Sequence, residues 1–376
     1  MPQNKSENIT KTTQASVLPD EIKDRKKRLV KFGSLAVFSL VIIIFFTIAW
    51  FTSSSEAQVG DMQIGAQSLP FDIATKGAAV RNSEVISSLH SEYLEGTPGT
   101  YKDTDNSVDT YYSGDSLRLR FDPLQADDAD TPDTNESYLP DISPGSSGEL
   151  SLYVIPKTNE SQKVKVSLNV VAFAEIDDMT VSGKKKIIEI KDASDFASKA
   201  SAVNNTSAAK DAADYVAAAN YLKGHILFFG GQGDTANSDE SLRYYYTTPY
   251  TARTFNKTIA AENKGKAVKV PIYWMWTNTL GQILLPDNTS GQLSGYPIVA
   301  DTDSDAKSAV KDYVINNRSD IFKNNGESTV SDINSVAAGS DSSAFRSLST
   351  GYNEADYMIG TKIAYFMIDV TVEPAV

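Results

Sequence analysis

The sequence predicts a mainly β protein: an antiparallel β-sandwich or jelly roll with helical insertions, preceded by one N-terminal transmembrane helix. Two observations lead to this prediction. An uncharged apolar stretch lies near the start, and the chain after it contains many short segments in which apolar and polar residues alternate. Alternation with period two is typical of strands with one buried face. Strands and helices do not alternate regularly, so a parallel α/β fold is not predicted.

The apolar stretch runs from Leu35 to Phe51 and carries no charged residue. With Phe32, Gly33 and Ser34 it is long enough to cross a bilayer, since a helix rises about 1.5 Å per residue and the hydrocarbon core is about 30 Å thick. The sequence therefore predicts three parts. These are a basic, disordered cytoplasmic tail at 1–31, a transmembrane helix or uncleaved signal anchor at 32–52, and an extracellular domain at 53–376.

The distribution of charge around this stretch predicts its orientation. Six basic residues lie within 23–31, whereas 52–59 contain only one charged residue, Glu56. Because Lys and Arg remain on the cytoplasmic side, we expect a single-pass membrane protein with its N-terminus inside the cell. An alternative stays open, because Thr47-Ile48-Ala49 offers small residues for signal cleavage, and cleavage near Ala49 would secrete the domain.

Composition limits what the exported part can bind. The chain has 35 basic and 48 acidic residues; removing the eight and four that precede Ser53 leaves 27 and 44, a net charge of −17. Such a surface repels nucleic acid, so no nucleic-acid partner is predicted. The chain contains no cysteine, which excludes disulfides, thiol chemistry and cysteine-based metal sites.

Alternating residues predict strands around Leu69–Ile73 and Leu117–Phe121. The clearest signal follows in Leu150–Val154 and Val164–Ala174, two alternating runs joined by a polar turn, which predict a β-hairpin. A third strand is predicted at Lys186–Ile190.

Helical spacing then predicts insertions near 192–222 and 304–316. The first has Ser207 as an N-cap and Gly224 as its stop, and the second is capped by Asp303 or Ser304. Strand patterns return at 225–229, 243–248, 253–259, 266–277 and 362–372. Pro271 predicts an edge or a bulge in the fourth of these, because proline cannot donate to a strand ladder.

Three stretches resemble one family. Residues 49–75 (AWFTSSSEAQVGDMQIGAQSLPFDIAT) are similar to the export junction and first strand of the TasA/camelysin group of Gram-positive surface and biofilm-matrix proteins. Residues 143–171 resemble that group's hairpin, and 360–372 (GTKIAYFMIDVTV) its closing strand. The resemblance covers about a third of the chain, and 190–345 departs from it. It implies a jelly roll, secretion, and assembly into fibres by donation of the N-terminal strand.

Signatures of catalysis are weak. A zinc peptidase needs His-Glu-x-x-His, but the two histidines, His90 and His225, lie far apart and are read as surface or strand-end residues. Ser-x-x-Lys occurs at Ser207–Lys210 and Ser304–Lys307, in each case at a predicted helix start where serine is an expected cap. The Lys-Thr-Gly partner of that motif is absent. The chain is therefore predicted not to be an enzyme.

Two groups of residues remain as candidate binding sites. Asp301, Asp303, Asp305 and Asp312 are spaced like the ligands of a calcium loop, although a capped helix start explains them better. Calcium is the only cofactor considered, and otherwise none is predicted. The second group is the aromatic run Tyr244, Tyr245, Tyr246 and Tyr250, which would bind glycans or proteins if exposed.

These observations predict a non-enzymatic cell-surface protein with a structural or adhesive role. Its partners would be the membrane, through 32–52, and other copies of the chain or other surface proteins. Fibres would form through donation of Ser53–Ile73 as a strand. The alternative function is that of a monomeric, membrane-anchored sensor that binds a ligand or glycan through the tyrosine-rich region.

Overall fold

A computed structural model describes residues 69–76, 97–114, 118–125, 143–235, 244–287, 293–323 and 329–375. The predicted tail, the predicted transmembrane segment and residues 53–68 lie outside these ranges. Within them, no helix is both long enough and apolar enough to span a membrane. Every element belongs to one structural unit, Pro70–Val376.

The strands are β1 (Phe71–Thr75), β2 (Thr97–Asp103), β3 (Val108–Gly114), β4 (Arg118–Gln125), β5 (Ser147–Pro156), β6 (Gln162–Asp178), β7 (Lys184–Glu189), β8 (Ile226–Thr235), β9 (Tyr244–Pro249), β10 (Thr254–Ile259), β11 (Lys266–Trp276) and β12 (Tyr365–Pro374). The helices are α1 (Ala193–Ala202), α2 (Thr206–Lys210), α3 (Ala212–His225), α4 (Leu280–Leu284), α5 (Ser304–Asn316), α6 (Arg318–Ile321), α7 (Val330–Ala337) and α8 (Ser342–Lys362), with a 3-10 turn at Ala261–Asn263.

The strands form two sheets. Sheet 1 has the order β2-β3-β1-β5-β11-β8-β9, and sheet 2 has the order β10-β6-β12-β4 with β7 beside the far end of β6. The described pairings are antiparallel except for a short parallel contact between β2 and β11 at Lys266 and Lys102. The prediction of a β-rich, antiparallel fold is therefore confirmed. Helices are more extensive than the two predicted insertions.

The prediction of a hairpin at 150–174 is wrong. Both strands exist, but β5 pairs with β1 and β11 in sheet 1, whereas β6 pairs with β10, β12 and β7 in sheet 2. The polar turn between them carries the chain from one sheet to the other. Alternation reports only that one face of each strand is buried, so it does not distinguish a hairpin from this crossing.

Pro271 occupies a gap in the pairing of β11. The strand lies inside sheet 1, but β8 pairs with it only from Tyr273 onward and β2 only at Lys266 and Ala267. At Pro271 the only paired neighbour within the described chain is β5, through Ser151. A strand can tolerate proline at a position with one open side, so the expected local edge is confirmed.

One buried cluster fills the space between the two sheets. It contains inward residues of β5, β6, β11 and β12, together with the apolar faces of α1 to α3. Trp274 and Trp276 lie in this cluster, and each is 2% exposed. A second cluster covers the other face of sheet 1, where Phe229, Tyr246 and Met275 pack against α4 to α8.

Most of the longer helices have an N-cap residue whose side chain accepts a hydrogen bond from the first turn. Asp303 accepts a hydrogen bond from the backbone of Ala306 (3.0 Å), which confirms it as the cap of α5. The predicted cap Ser207 is wrong, because Asn205 caps α2 by accepting from Ala208 (3.0 Å). Asp341 caps α8, and the hydrogen bonds from the backbone of Ala344 and from Ser343 lower the pKa of Asp341.

Candidate functional site

The structure does not bring together the four aspartates that the sequence singles out. Asp303 caps α5, and Asp305 and Asp312 are exposed on that helix. Asp301 forms an ion pair with Lys307 and accepts a hydrogen bond from the backbone of Asp287 (2.9 Å). In the described ranges, no three His, Cys, Asp or Glu residues lie close enough together to hold a metal ion. The capped helix start is the better account of this sequence pattern.

The tyrosine run is mostly packed. Tyr246 is 5% exposed and stacks on Phe229 at 4.9 Å between ring centroids, so it is not part of an exposed binding surface. Tyr250 is half-buried and stacks on Phe255 at 3.9 Å. Tyr245 is half-buried and donates to Asp287 Oδ2 (3.1 Å). The side chain of Tyr244 lies outside the described part.

Asp287 connects the two groups of residues that the sequence singled out. Its carboxylate accepts from Tyr245, and its backbone N–H donates to Asp301, which also accepts from Lys307. This chain of contacts ends at a cleft beside α5. Residues 245 and 301, which sequence reasoning treated as separate candidates, therefore belong to one region.

The cleft has a volume of about 400 Å³ and lies between α4, α5 and α7. Its floor is apolar: Ile283, Leu284, Ala337 and Ala338. Its polar rim consists of Asp301, Ser304, Lys307, Ser308, Lys311 and Asn334. A concave site with an apolar floor and a few polar groups is the usual form of a small-molecule site, and this volume lies at the small end of the range.

One of the two Ser-x-x-Lys stretches, Ser304–Lys307, lies on this cleft. Catalysis by that motif needs a lysine free to accept a proton from serine. Lys307 instead donates to the carboxylate of Asp301, so its ammonium is directed away from the serine. The arrangement therefore suits binding of a ligand rather than activation of a nucleophile.

A separate buried network contains His225, which sequence reasoning interpreted as a surface or strand-end residue. His225 ends α3 and is fully buried, so the surface interpretation is wrong. Its Nδ1 lies 2.7 Å from Asp356 Oδ1, and its Nε2 lies 2.8 Å from the carbonyl oxygen of Ile321. The ring of Tyr352 stacks on the imidazole at 4.0 Å. Both ring nitrogens are occupied, so His225 is not available as a general base.

Further hydrogen bonds extend this network. Trp276 Nε1 donates to Asp356 Oδ1 (3.0 Å), and the Tyr352 hydroxyl donates to the carbonyl of Thr277 (3.0 Å). Burial raises the pKa of Tyr352 well above its ordinary value. This hydroxyl therefore acts as a neutral hydrogen-bond group that holds α8 against β11.

Two side chains donate hydrogen bonds to the backbone carbonyls at the C-terminal end of α3. The guanidinium of Arg253 donates to the carbonyl of Lys223, and the Tyr313 hydroxyl donates to the carbonyl of Gly224 (3.0 Å). A cation at a helix C-terminus is stabilising because the carbonyls there carry partial negative charge. Burial, and then the charge of Arg253, lower the pKa of Lys223.

No family profile, curated protein or solved structure matches this chain. Any functional conclusion therefore rests on the residues themselves. The His225 network joins helices to strands through groups that are all bonded to one another or to the backbone. The cleft is a place in the described chain where several polar groups face an open volume.

The buried hydroxyl of Tyr111 offers a test of how side chains pack in sheet 1. Tyr111 is fully buried beside Tyr153, and its hydroxyl has no hydrogen-bond partner among the described residues. We expect Tyr111→Phe to leave the free energy of unfolding unchanged or to raise it by about 1 kcal/mol, because it removes an unpaired polar atom. Urea unfolding followed by tryptophan fluorescence measures this.

The control for that variant is Tyr101→Phe. The hydroxyl of Tyr101 lies 3.1 Å from Ser113 Oγ, so its removal should lower the free energy of unfolding by about 1 kcal/mol. A larger loss in Tyr111→Phe than in Tyr101→Phe would mean that the hydroxyl of Tyr111 has a partner.

Proposed function

We propose that this chain is a non-enzymatic cell-surface protein with a structural or adhesive role, anchored by 32–52 or released by cleavage near Ala49. Its exported part would be a β-sandwich of the jelly-roll type, related to the TasA/camelysin group, that assembles by donation of an N-terminal strand. The two antiparallel sheets that share one core support this fold assignment. The export segment and the family resemblance support the location.

The observation that carries the assembly proposal is the outer edge of sheet 2 at β10. This strand pairs with β6 in regular register from Thr254 to Ile259, and no strand of the described chain lies on its other side. It contains no proline, and its only charged residue is Lys257. An edge with so few interruptions can accept another strand.

The opposite edge of sheet 2 is protected against such pairing. There β4 contains Pro123, and its register with β12 shifts between Phe366 and Ile368. Proline and bulges are the usual means by which proteins block an exposed edge. Of the two edges of sheet 2, β10 is therefore the acceptor in this proposal.

The donor segment is shorter than the sequence predicted. Phe71 and Ile73 already belong to β1, which is paired with β5 on one side and β3 on the other. The donor in this proposal is therefore 53–68 rather than the predicted Ser53–Ile73. This part contains the alternating residues Met62, Ile64 and Ala66.

The test is negative-stain electron microscopy of the full-length protein on cells and after extraction in mild detergent. We expect fibres for the parent chain and their loss in Ile64→Pro, because proline removes a ladder N–H from the donor. The control is Ser6→Pro, which places the same residue in the predicted cytoplasmic tail. Monomers in all conditions, or fibres of Ile64→Pro equal to those of the parent, would contradict assembly by this strand.

The second candidate function is ligand binding by a surface-anchored domain, and the cleft beside α5 favours it. Within the described part of the tyrosine run, Tyr245 reaches this region through Asp287, whereas Tyr246 is buried. Binding at the cleft is compatible with assembly through β10, because the two features involve different residues.

A further inference from the structure

The charge inside the cleft is opposite to that of the exported domain. Two lysines and one aspartate line it, for a net charge of +1, in a domain whose net charge is −17. Lys307 is held by Asp301, but Lys311 is half-buried and has no ion-pair partner within the described ranges. A half-buried lysine without an ion-pair partner is a favourable place for an anion.

The donors in the cleft lie on one face of α5. The first donor is Ser304, and Lys307, Ser308 and Lys311 follow it by three, four and seven residues. At this spacing their side chains project from the same side of the helix. The apolar floor contributes accessible surface mainly through Ala337 and Ala338, since Ile283 and Leu284 are 8% and 2% exposed. The cleft therefore offers hydrogen-bond donors and positive charge on one side and apolar contact on the other.

We propose that this cleft binds a small organic carboxylate with a short apolar body. The carboxylate would lie against Lys311 and the serine hydroxyls, and the apolar part would cover the floor. A single negative charge balances the net charge of +1 in the cleft, whereas a phosphate dianion would leave the cleft with a net negative charge. This inference deepens the second candidate function and does not depend on assembly.

The test is a ligand-observed NMR titration of the full-length protein in detergent with N-acetyl-leucine. Its neutral analogue N-acetyl-leucinamide has the same apolar body, and hexanoate has the same charge without the amide. We expect roughly millimolar or tighter binding of N-acetyl-leucine, weakened by salt, and at least about tenfold weaker binding of the amide. Binding of hexanoate as well would extend the class to simple aliphatic acids.

The deciding variant is Lys311→Met, which keeps most of the side-chain stem and removes the charge. It should weaken binding of N-acetyl-leucine about tenfold, because a hydrogen bond to a charged group is lost. The matched control is Lys210→Met. Lys210 is the exposed lysine of the other Ser-x-x-Lys stretch, so this change alters net charge equally and should leave the affinity unchanged.

Several outcomes would overturn the proposal. These are no binding of either carboxylate, equal affinity for acid and amide, undiminished binding by Lys311→Met, or tighter binding of inorganic phosphate than of N-acetyl-leucine. None of them bears on the electron-microscopy test of β10, so failure of this inference and failure of the assembly proposal are distinguishable.

Discussion

Replacing Gly224 with alanine is expected to destabilise this protein by about 3 kcal/mol or more. Gly224 lies in α3, where alanine would ordinarily be preferred by about 1 kcal/mol. However, a Cβ at this position would overlap the backbone carbonyl group of Asp320. Backbone atoms cannot rotate away as a side chain can, so α3 and α6 would have to separate.

That separation would also disturb the buried network next to it. The residue after Asp320 is Ile321, which is fully buried and whose carbonyl accepts from His225. The Gly224 carbonyl itself accepts from the Tyr313 hydroxyl. The expected loss therefore includes weakened hydrogen bonds as well as overpacking, and urea unfolding of the full-length protein in detergent measures the sum.

Gly360→Ala is the matched control. Gly360 is an exposed glycine inside α8, and nothing lies within 4 Å of the Cβ that alanine would add. Here helix propensity should act alone and raise the free energy of unfolding by about 0.5 to 1 kcal/mol. If both variants changed stability by the same amount, the close approach of α3 to α6 would be wrong.

This glycine also illustrates what the sequence could predict. The sequence predicts Gly224 as a helix stop, because glycine is common after the last turn of a helix. The helix continues to His225, and the real reason for the glycine is contact with α6, which begins at Arg318. A contact between segments nearly a hundred residues apart leaves no local pattern in a single sequence.

The strands were predictable where one face is strongly apolar. β6, β11 and β12 have alternating or continuous apolar residues, and each was predicted close to its observed position. β2 and β3 are rich in polar residues and lack an alternating apolar pattern, so the sequence does not predict them. Pairing partners could not be predicted at all from alternation.

The helix α8 was missed although its signal was present. Its buried residues are Ala344, Leu348, Tyr352, Ala355 and Ile359, which have helical spacing. Serine, threonine and glycine between them lower the intrinsic helix propensity, and this composition hid the pattern. Asp356 lies on this helix, so the partner of His225 was missed with it.

The cleft was predictable only in part. The sequence singled out Asp301 and Ser304–Lys307 for other reasons, and both lie on it. Lys311 and Asn334 were not recognised, because they have no motif and come from different helices that meet only in the folded chain. Tertiary packing of α5 against α7 creates the site.

Replacing Asp356 with asparagine should be the second large destabilisation, about 2 to 4 kcal/mol. The carbonyl of Ile321 can only accept, so His225 must donate through Nε2. The Oδ1 atom of Asp356 meets Nδ1 of the same ring and also accepts from Trp276 Nε1. The hydrogen bond between His225 Nδ1 and Asp356 Oδ1 therefore requires a second proton, in addition to the one on Nε2 of His225.

Asparagine cannot reproduce this arrangement. If its oxygen takes the Oδ1 position, His225 must carry a buried positive charge without a counter-ion or lose one of its two hydrogen bonds. If its amide nitrogen takes that position, two donors face each other at Trp276. Either choice leaves a buried polar group unsatisfied, and such a group costs about 1 to 3 kcal/mol, more when it is charged.

The matched control for this variant lies two residues away on the same helix. Glu354→Gln also neutralises a carboxylate, but Glu354 forms a partly exposed ion pair with Lys323 at 3.9 Å. Such pairs contribute about 0 to 1 kcal/mol, so Glu354→Gln should leave unfolding almost unchanged. Urea unfolding followed by tryptophan fluorescence compares the two. Equal stability of both variants would contradict the buried His225–Asp356 pair. Of the two carboxylates, only Asp356 is bonded to a buried histidine whose other ring nitrogen donates to a carbonyl.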